Sequence, residues 1–487
     1  MSLLPSSLDP TDLESIRAWL GDAPDGPPRR PVGLRAIDIG PAALAALPRR
    51  AREARGDRVG DIVVLTDATP IRRGSHDLKA DAVARLQNAF DDAAVRHVVL
   101  GRGRSELHAD ERALAEADRA ILGAALVVSV GSGTVTDIAK DASCRAGIPF
   151  VVVQTAVSVN AFSDDMAVLL RNGVKRTVPS HWPDALIVDL EVIAGAPAAM
   201  NRAGFGELMA MFTAPADWYL ASAVGADPSY DPAVVRLFRD GGDRLLGCAP
   251  GVATARHDAL AELAGQMTLT GIAMGVAGRT APLSGTEHTI SHLLDMAAGV
   301  DGREPALHGA QVGVAAVIVA LAWRRVLRDL DPDRIALDAS AATPAPLDAR
   351  WPRVAAAFDR LDPSGGASEE CWTDYHRKIE RWEAATSDRA ALAADWSHHR
   401  SVIDDLVLAP EALVEGLRTA GAPTRFSELD PAISPDVARW AVASCHLMRD
   451  RFTVADLVDL TGAAGRGWDA TFADELLAEA GELGAGL

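Results

Sequence analysis

From Val32 to about Ile193, short apolar runs alternate with alanine-rich stretches of helical spacing, and this alternation constrains the fold most. Asp61-Ile62-Val63-Val64-Leu65-Thr66, Val98-Val99-Leu100, Leu126-Val127-Val128-Ser129-Val130 and Phe150-Val151-Val152-Val153 are almost continuously hydrophobic. A strand apolar on both faces has no side for water, so it belongs in a parallel sheet covered by helices above and below. Ligands bind such sheets in the loops beyond the carboxyl ends of the strands. After Pro197 the β-branched runs nearly vanish, and Ala/Leu/Arg/Asp stretches with helical spacing continue to the C-terminus. The expected division is an N-terminal extension over 1–32 with a short helix at Asp12–Leu20, an α/β domain with a parallel sheet over 33–197, and an all-α domain over 198–487. From about 340 the last of these is extended by a further helical elaboration, entered through an alanine/proline loop at 339–347.

Composition narrows the partners. The 487 residues carry a formal charge of −19 and 48% hydrophobic residues. That acidic balance repels a phosphate backbone and argues against nucleic acid. Cys144, Cys248, Cys371 and Cys445 lie far apart with no CxxC pair, as expected of reduced cytoplasmic thiols. No signal peptide is apparent in residues 1–40, and the apolar run Val312–Trp323 is too short for a bilayer. A cytoplasmic homo-oligomer with a small-molecule substrate and no membrane partner is expected. Lysine is rare: Lys79, Lys140, Lys175 and Lys378 are the only four, and Lys140 and Lys175 flank a glycine-rich segment.

That segment, Val130-Gly131-Ser132-Gly133-Thr134-Val135-Thr136-Asp137, follows a strand and opens a helix. It is either a cradle for a nucleotide pyrophosphate or an ordinary tight turn. Thr155, Ser158 and Asn160 follow the next strand and either line the same sheet edge or form a plain polar loop. Asp67, after the first strong strand, either contacts a ribose or caps a helix. His288 and His292 are four apart and share a helix face. With His308 before Gly309, and Glu207 on what reads as a glycine-started helix after Gly204-Phe205-Gly206, they form a kit for a catalytic divalent metal. Asp217-Trp218 reads as packing and capping, the C-terminal tryptophans as core anchors, and His398-His399 as a solvated pair.

The ordered set Gly131-Ser132-Gly133-Thr134…Asp137…Lys140, Thr155-Ala156…Ser158, Gly173…Lys175…Thr177, Pro183-Asp184-Ala185…Asp189, Gly204-Phe205-Gly206-Glu207…Asp217-Trp218, Ser284-Gly285-Thr286-Glu287-His288…His292 and His308-Gly309 resembles the sn-glycerol-1-phosphate dehydrogenases. Their superfamily also holds glycerol dehydrogenase, iron-containing alcohol dehydrogenases and dehydroquinate synthase. The resemblance spans roughly residues 32–330. It implies a Rossmann-like domain for NAD or NADP, a helical metal-binding domain, and an active site in the cleft between them. By motif position Glu207, His288 and His308 would bind one divalent metal, zinc first, with iron, nickel and manganese as alternatives. His292 would be the catalytic histidine that relays a proton. Asp67, Gly131, Ser132, Gly133, Thr134, Asp137, Thr155 and Ser158 would bind the cofactor, and Asn160 and Lys175 the substrate.

The expected activity is hydride transfer between nicotinamide and a small, in some cases phosphorylated, polyol or ketone, the metal polarising the substrate oxygen. Three positions depart from the dehydrogenase pattern: Glu207 replaces aspartate, Asn160-Ala161 replaces Asp-Gly, and Met211 replaces a lysine. A dehydroquinate synthase-like cyclase and a non-catalytic binding protein are the alternatives.

Overall fold

A computed structural model describes residues 8–23, 26–73, 76–104, 107–171, 174–336, 347–463 and 465–485. Gly173 and most of the 339–347 loop lie outside the described residues. The chain forms two compact units: residues 1–205 with 233–280, and residues 206–232 with 281–487. The helical segment 233–280 thus groups with the sheet, whereas a linear division at 197 would place it with the later helices.

The first unit is built on ten strands: β1 (Ala36–Gly40), β2 (Asp61–Thr66), β3 (Arg72–Arg73), β4 (His76–Asp77), β5 (Val95–Val99), β6 (Ala124–Gly131), β7 (Phe150–Gln154), β8 (Met166–Arg171), β9 (Val174–Pro179) and β10 (Ala185–Asp189). Six make one parallel sheet in the order β1-β10-β7-β6-β2-β5. Every residue of β7 and β10 is buried, as their continuous hydrophobicity demands. One core face joins Ile62, Val64, Val128, Val130, Val151, Val153 and Ile187 to Leu47, Leu78, Ala82 and Leu86 from flanking helical segments. The strand direction of travel reverses between β2 and β6: β5 lies outward on one side, β7 and β10 on the other. The loops after β2 and β6 therefore meet at the switch point where an open α/β sheet offers a ligand crevice.

Strand β8 pairs antiparallel with β9, from Met166↔Pro179 to Arg171↔Val174. Lys140, fully buried on the helix Gly133–Ala146, holds the preceding loop by Nζ bonds to Asp164 Oδ1 (2.5 Å), Ala161 O (2.7 Å) and Met166 O (2.8 Å). Its retention is structural, because a buried ammonium must spend all its donors.

Trp182 packs between two glycines. A Cβ on Gly33 would stand 2.3 Å from its Cδ1, and one on Gly275, in the helix His257–Ala277, would stand 2.2 Å from Cη2. Only hydrogen fits there.

The second unit is helical. Its longest helix, His308–Asp329, has 22 residues and exceeds the apolar run visible in the sequence. By length and composition it could cross a bilayer, but 83% of its apolar window is buried inside the protein, so it serves as a core helix. Trp382, Trp396 and Trp468 are buried as expected of core anchors, whereas Trp351, Trp372 and Trp440 are only partly buried. His399 is not simply solvated: its Nδ1 lies 2.7 Å from Tyr219 Oη, and only His398 is exposed.

Gly275→Ala should lower stability by about 1–3 kcal/mol in urea unfolding, because overpacking outweighs the better helix propensity of alanine. Trp182→Phe, which removes the outer ring, should recover part of that loss but should not rescue Gly33→Ala, whose clash is with the near side of the indole. Equal rescue of both would refute this packing account.

Candidate active site

In the second unit a carboxylate and two imidazoles converge. Glu207 does not stand on a glycine-started helix. Its helix runs Ala198–Leu208, and the glycines lie inside it at points of backbone contact. A Cβ on Gly206 would come 2.4 Å from Gly309 O, and one on Gly313 would come 2.8 Å from Gly206 Cα. This close approach presses the end of the Glu207 helix against the start of the helix His308–Asp329. His288 sits in the first turn of the helix Thr286–Val300. Its Nε2 lies 3.4 Å from Glu207 Oε1, and His308 Nε2 lies 3.9 Å from Glu207 Oε2. One ligand atom from each residue falls within 4.8 Å of the others.

The hydrogen bonds behind these rings fix which nitrogen carries the proton. Gln311 Nε2 donates to Asp295 Oδ1 and Ala306 O, both at 2.9 Å, which orients its amide. Gln311 Oε1 therefore accepts the Ser291 hydroxyl proton at 2.9 Å. Ser291 Oγ must then accept from His308 Nδ1–H at 2.8 Å, so the lone pair of His308 is on Nε2. His288 Nδ1 donates to Glu287 Oε1 at 3.0 Å, which leaves Nε2 as the nitrogen that faces Glu207 and that a metal would take in place of its proton. Glu287 is itself held by Gly285 N (2.6 Å) and Thr213 Oγ1 (3.0 Å). Both imidazoles thus present Nε2 to Glu207 with their outer nitrogens anchored, the arrangement that orients histidine ligands.

Glu207 is 2% exposed, and its Oε2 is buried without a hydrogen-bond partner. Burial opposes its ionisation, but His308 and His288 overcome this and hold the carboxyl below its usual range. Burial likewise opposes a charge on His288, yet Glu207 and Glu287 push that imidazole up to about 9. A buried negative pocket with an orphaned oxygen fits a divalent cation, which would replace the imidazole proton as the positive charge.

Asp217 ties the surrounding elements together. The Glu207 helix gives way to a 3₁₀ turn at Met209–Phe212, and a new helix begins as Ala214–Ala223. From that new helix Asp217 Oδ2 accepts from Thr286 N and Oγ1, both at 2.8 Å, and Oδ1 accepts from Val454 N at 2.9 Å. Asp217 therefore caps two helices far apart in sequence.

His292 shares the helix of His288, and its ring centroid lies 5.4 Å from that of His308. Its Nδ1 receives Arg449 Nη2 at 2.8 Å. Spacing pointed to Glu287 beside His288 and could have exposed Ser291 and Gln311, each three residues beyond one of the two converging histidines. Nothing local in the sequence signals Arg449.

In the first unit the turn Gly131–Thr134 follows β6 and opens the helix Gly133–Ala146. Ser132 stands at the N-cap and makes no side-chain capping bond. Thr155 N bonds Gly131 O at 3.1 Å, placing Thr155 beside the turn, and Thr155 and Ser158 are both buried. Asn160 is partly exposed. Asp67 follows β2 but caps no helix. Asp77 caps Leu78–Gln87, while Asp67 Oδ1 takes Lys79 Nζ at 2.5 Å. Lys175 lies on β9, and its charge acts on the buried Asp137.

Residues 38–197 match the family of iron-containing alcohol dehydrogenases. Among curated proteins, the glycerol-1-phosphate dehydrogenase [NAD(P)+] of Bacillus licheniformis is 27% identical over 463 residues, covering 93% of this chain and 97% of that one. The enzyme of the same name from Methanosarcina barkeri is 33% identical over 193 residues, 40% of this chain and 53% of that one. The chain is thus similar to the iron-containing alcohol dehydrogenases over residues 38–197, and to a glycerol-1-phosphate dehydrogenase [NAD(P)+] over nearly its whole length. Solved structures agree in fold. A probable glycerol dehydrogenase from Sinorhizobium meliloti matches with a TM-score of 0.56 at 15% identity, over 93% of this chain and 98% of that one. A maleylacetate reductase from Rhizobium sp. matches at 0.55 and 18% identity, over 94% and 98%.

Asp137 yields a pH prediction. Burial raises its carboxyl, Lys140 opposes, Asp164 adds to the rise, and the group titrates at about 7, with Oδ1 lacking a partner. The unfolded chain releases the same proton near pH 4, roughly. The folded chain therefore binds more protons between these values, and this group's stabilisation drains as pH rises towards 7. The stability of Asp137→Asn relative to the parent should increase between pH 5 and pH 8 in urea unfolding. A flat or falling difference would contradict the assignment.

Proposed function

We propose that this chain is a metal-dependent, NAD(P)-linked dehydrogenase that transfers hydride between nicotinamide and a small polyol or ketone. Glycerol 1-phosphate and dihydroxyacetone phosphate are the first pair to consider. The observation that carries this reading is the convergence of Glu207, His288 and His308, with both Nε2 atoms turned to a carboxylate whose Oε2 is buried and unpartnered. The near full-length likeness to a glycerol-1-phosphate dehydrogenase [NAD(P)+] supports the substrate class.

Two neutral imidazoles and one carboxylate suit zinc with an open position, and zinc is the metal we propose. Such an ion would act as a Lewis acid towards the substrate oxygen, easing alkoxide formation as hydride moves. The chain's own contribution is orientation: Ser291, Gln311 and Asp295 lock His308, and Glu287 locks His288, so neither ring must reorganise. The uncapped start of the helix Gly133–Ala146 would hold the dinucleotide pyrophosphate, with Thr155 and Ser158 near its nicotinamide half. All four cysteines are free thiols, which supports the cytoplasm as the place of action.

Metal analysis and NAD(P)H oxidation should be measured over dihydroxyacetone phosphate and other small ketones. Wild-type protein should retain one divalent ion and consume reduced cofactor with at least one phosphorylated ketone. Glu207→Ala should lose the ion and lower turnover by about 10²–10³-fold or more, the scale of a Lewis acid worth several kcal/mol. Full metal content and turnover in that variant would overturn the site. Conversion of a sugar phosphate without net cofactor consumption would favour the cyclase.

A further inference from the structure

The role of the C-terminal helical elaboration is invisible in the sequence, but its course through the second unit is specific. Between the 3₁₀ turn Cys445–Leu447 and the helix Val454–Thr461, residues 448–453 run past the start of the His288 helix. The segment is fastened on both sides. Upstream, Lys378, 1% exposed, donates Nζ to His446 O and pairs with Asp456 at 2.6 Å. Arg381 pairs with Asp450 at 2.8 Å. Downstream, Arg451 donates to Ser284 O and to Ser284 Oγ at 2.7 Å, and Val454 N reaches Asp217 at 2.9 Å. Thr453 and Asp456 close a capping box on the same helix. Attachments at His446, Asp450, Arg451, Val454 and Asp456 allow the side chain at 449 little freedom of placement.

Arg449 Nη2 lies 2.8 Å from His292 Nδ1. A guanidinium can only donate and does not lose its proton in a protein. His292 Nδ1 must therefore accept, and its ring proton must sit on Nε2. This is the opposite arrangement from His288 and His308, whose Nδ1–H groups point to Glu287 and Ser291 and whose Nε2 atoms face Glu207. Three histidines within 6.3 Å, ring centre to ring centre, are thus sorted into two ligands and one donor.

We propose that Arg449, delivered by the C-terminal elaboration, is a positioning residue that locks His292 as the Nε2–H tautomer, keeping it out of the metal's ligand set and in the reaction as a hydrogen-bond donor. The consequence for catalysis rests on the dehydrogenase reading, but the tautomer does not. It also revises the proton-relay role expected of His292: with Arg449 on Nδ1 the ring has no lone pair with which to take a proton from substrate.

The test uses zinc-loaded full-length protein labelled with 15N-histidine, with the His292 signals assigned by their loss in His292→Gln. Wild type should show a pyridine-type Nδ1 and a pyrrole-type Nε2 for His292, and the reverse for His288 and His308. In Arg449→Ala the His292 preference should relax and kcat should fall about 10- to 100-fold, the usual cost of removing an orienting partner, with zinc content unchanged. Arg449→Lys, which still donates, should restore the tautomer and most of kcat. If Arg449→Ala does not fold, the wild-type spectrum and Arg449→Lys still decide the matter. A wild-type His292 protonated on Nδ1, or an Arg449→Ala protein with unchanged tautomer and kcat, would overturn the proposal. Absent NAD(P)H turnover with a correct tautomer would count against the dehydrogenase reading alone.

Discussion

The candidate site depends on one chain of donors and acceptors whose direction cannot be reversed. Asp295 and the Ala306 carbonyl accept from the Gln311 amide, which leaves Gln311 Oε1 to accept from Ser291, which leaves Ser291 to accept from His308. In a buried setting each link is costly to break, so the last ring nitrogen has no choice of proton. Glu287 does the same for His288 through a shorter path. The result is two Nε2 atoms turned towards a carboxylate, with both outer nitrogens already anchored, so a cation that replaces the imidazole proton would meet rings that need not reorient.

That relay needs several helices held to fractions of an ångström, and two devices supply it. The first is steric. Gly206 and Gly313 let two helix backbones touch, and a Cβ on either would strike the facing backbone. The second is polar. Asp217 pins the first turns of Thr286–Val300 and Val454–Thr461 through three donors, so a single carboxylate couples the histidine helix to the distant C-terminal region. Burial pushes Asp217 up to about 7, Glu287 adds to the rise, and the three donors counter it. The cost of burying such groups is met by satisfying almost every oxygen they carry.

Much of this was legible in the sequence. Continuous apolar runs marked β2, β6 and β7, because burial on both faces leaves a compositional trace in each strand. The i, i+4 spacing of His288 and His292 placed them on one helix face, and motif order added Glu207 and His308. Other readings failed for identifiable reasons. The glycines before Glu207 looked like a helix start, yet Gly206 serves a contact with the helix of Gly309 and Gly204 one with the Val157 backbone. Asp67 was open to reading as a helix cap, but Asp77 holds that place and buried Lys79 takes one Asp67 oxygen. His399 looked solvated until Tyr219, 180 residues away, supplied a partner. In each case the deciding neighbour lies outside any local window.

The sequence by itself determined the parallel sheet and the glycine turn after β6, which follow from local periodicity and short spacing, while motif order and the family resemblance singled out Glu207, His288 and His308 as candidate metal ligands. Only the tertiary structure decided which helix ends meet, which carboxylates are orphaned, and which nitrogen of each histidine bears its proton. Those properties belong to pairs of residues from separate segments. His292 is the clearest case: its place on a helix face is written in four residues, whereas its tautomer is set by Arg449, 157 positions later, across a fold that had first to form.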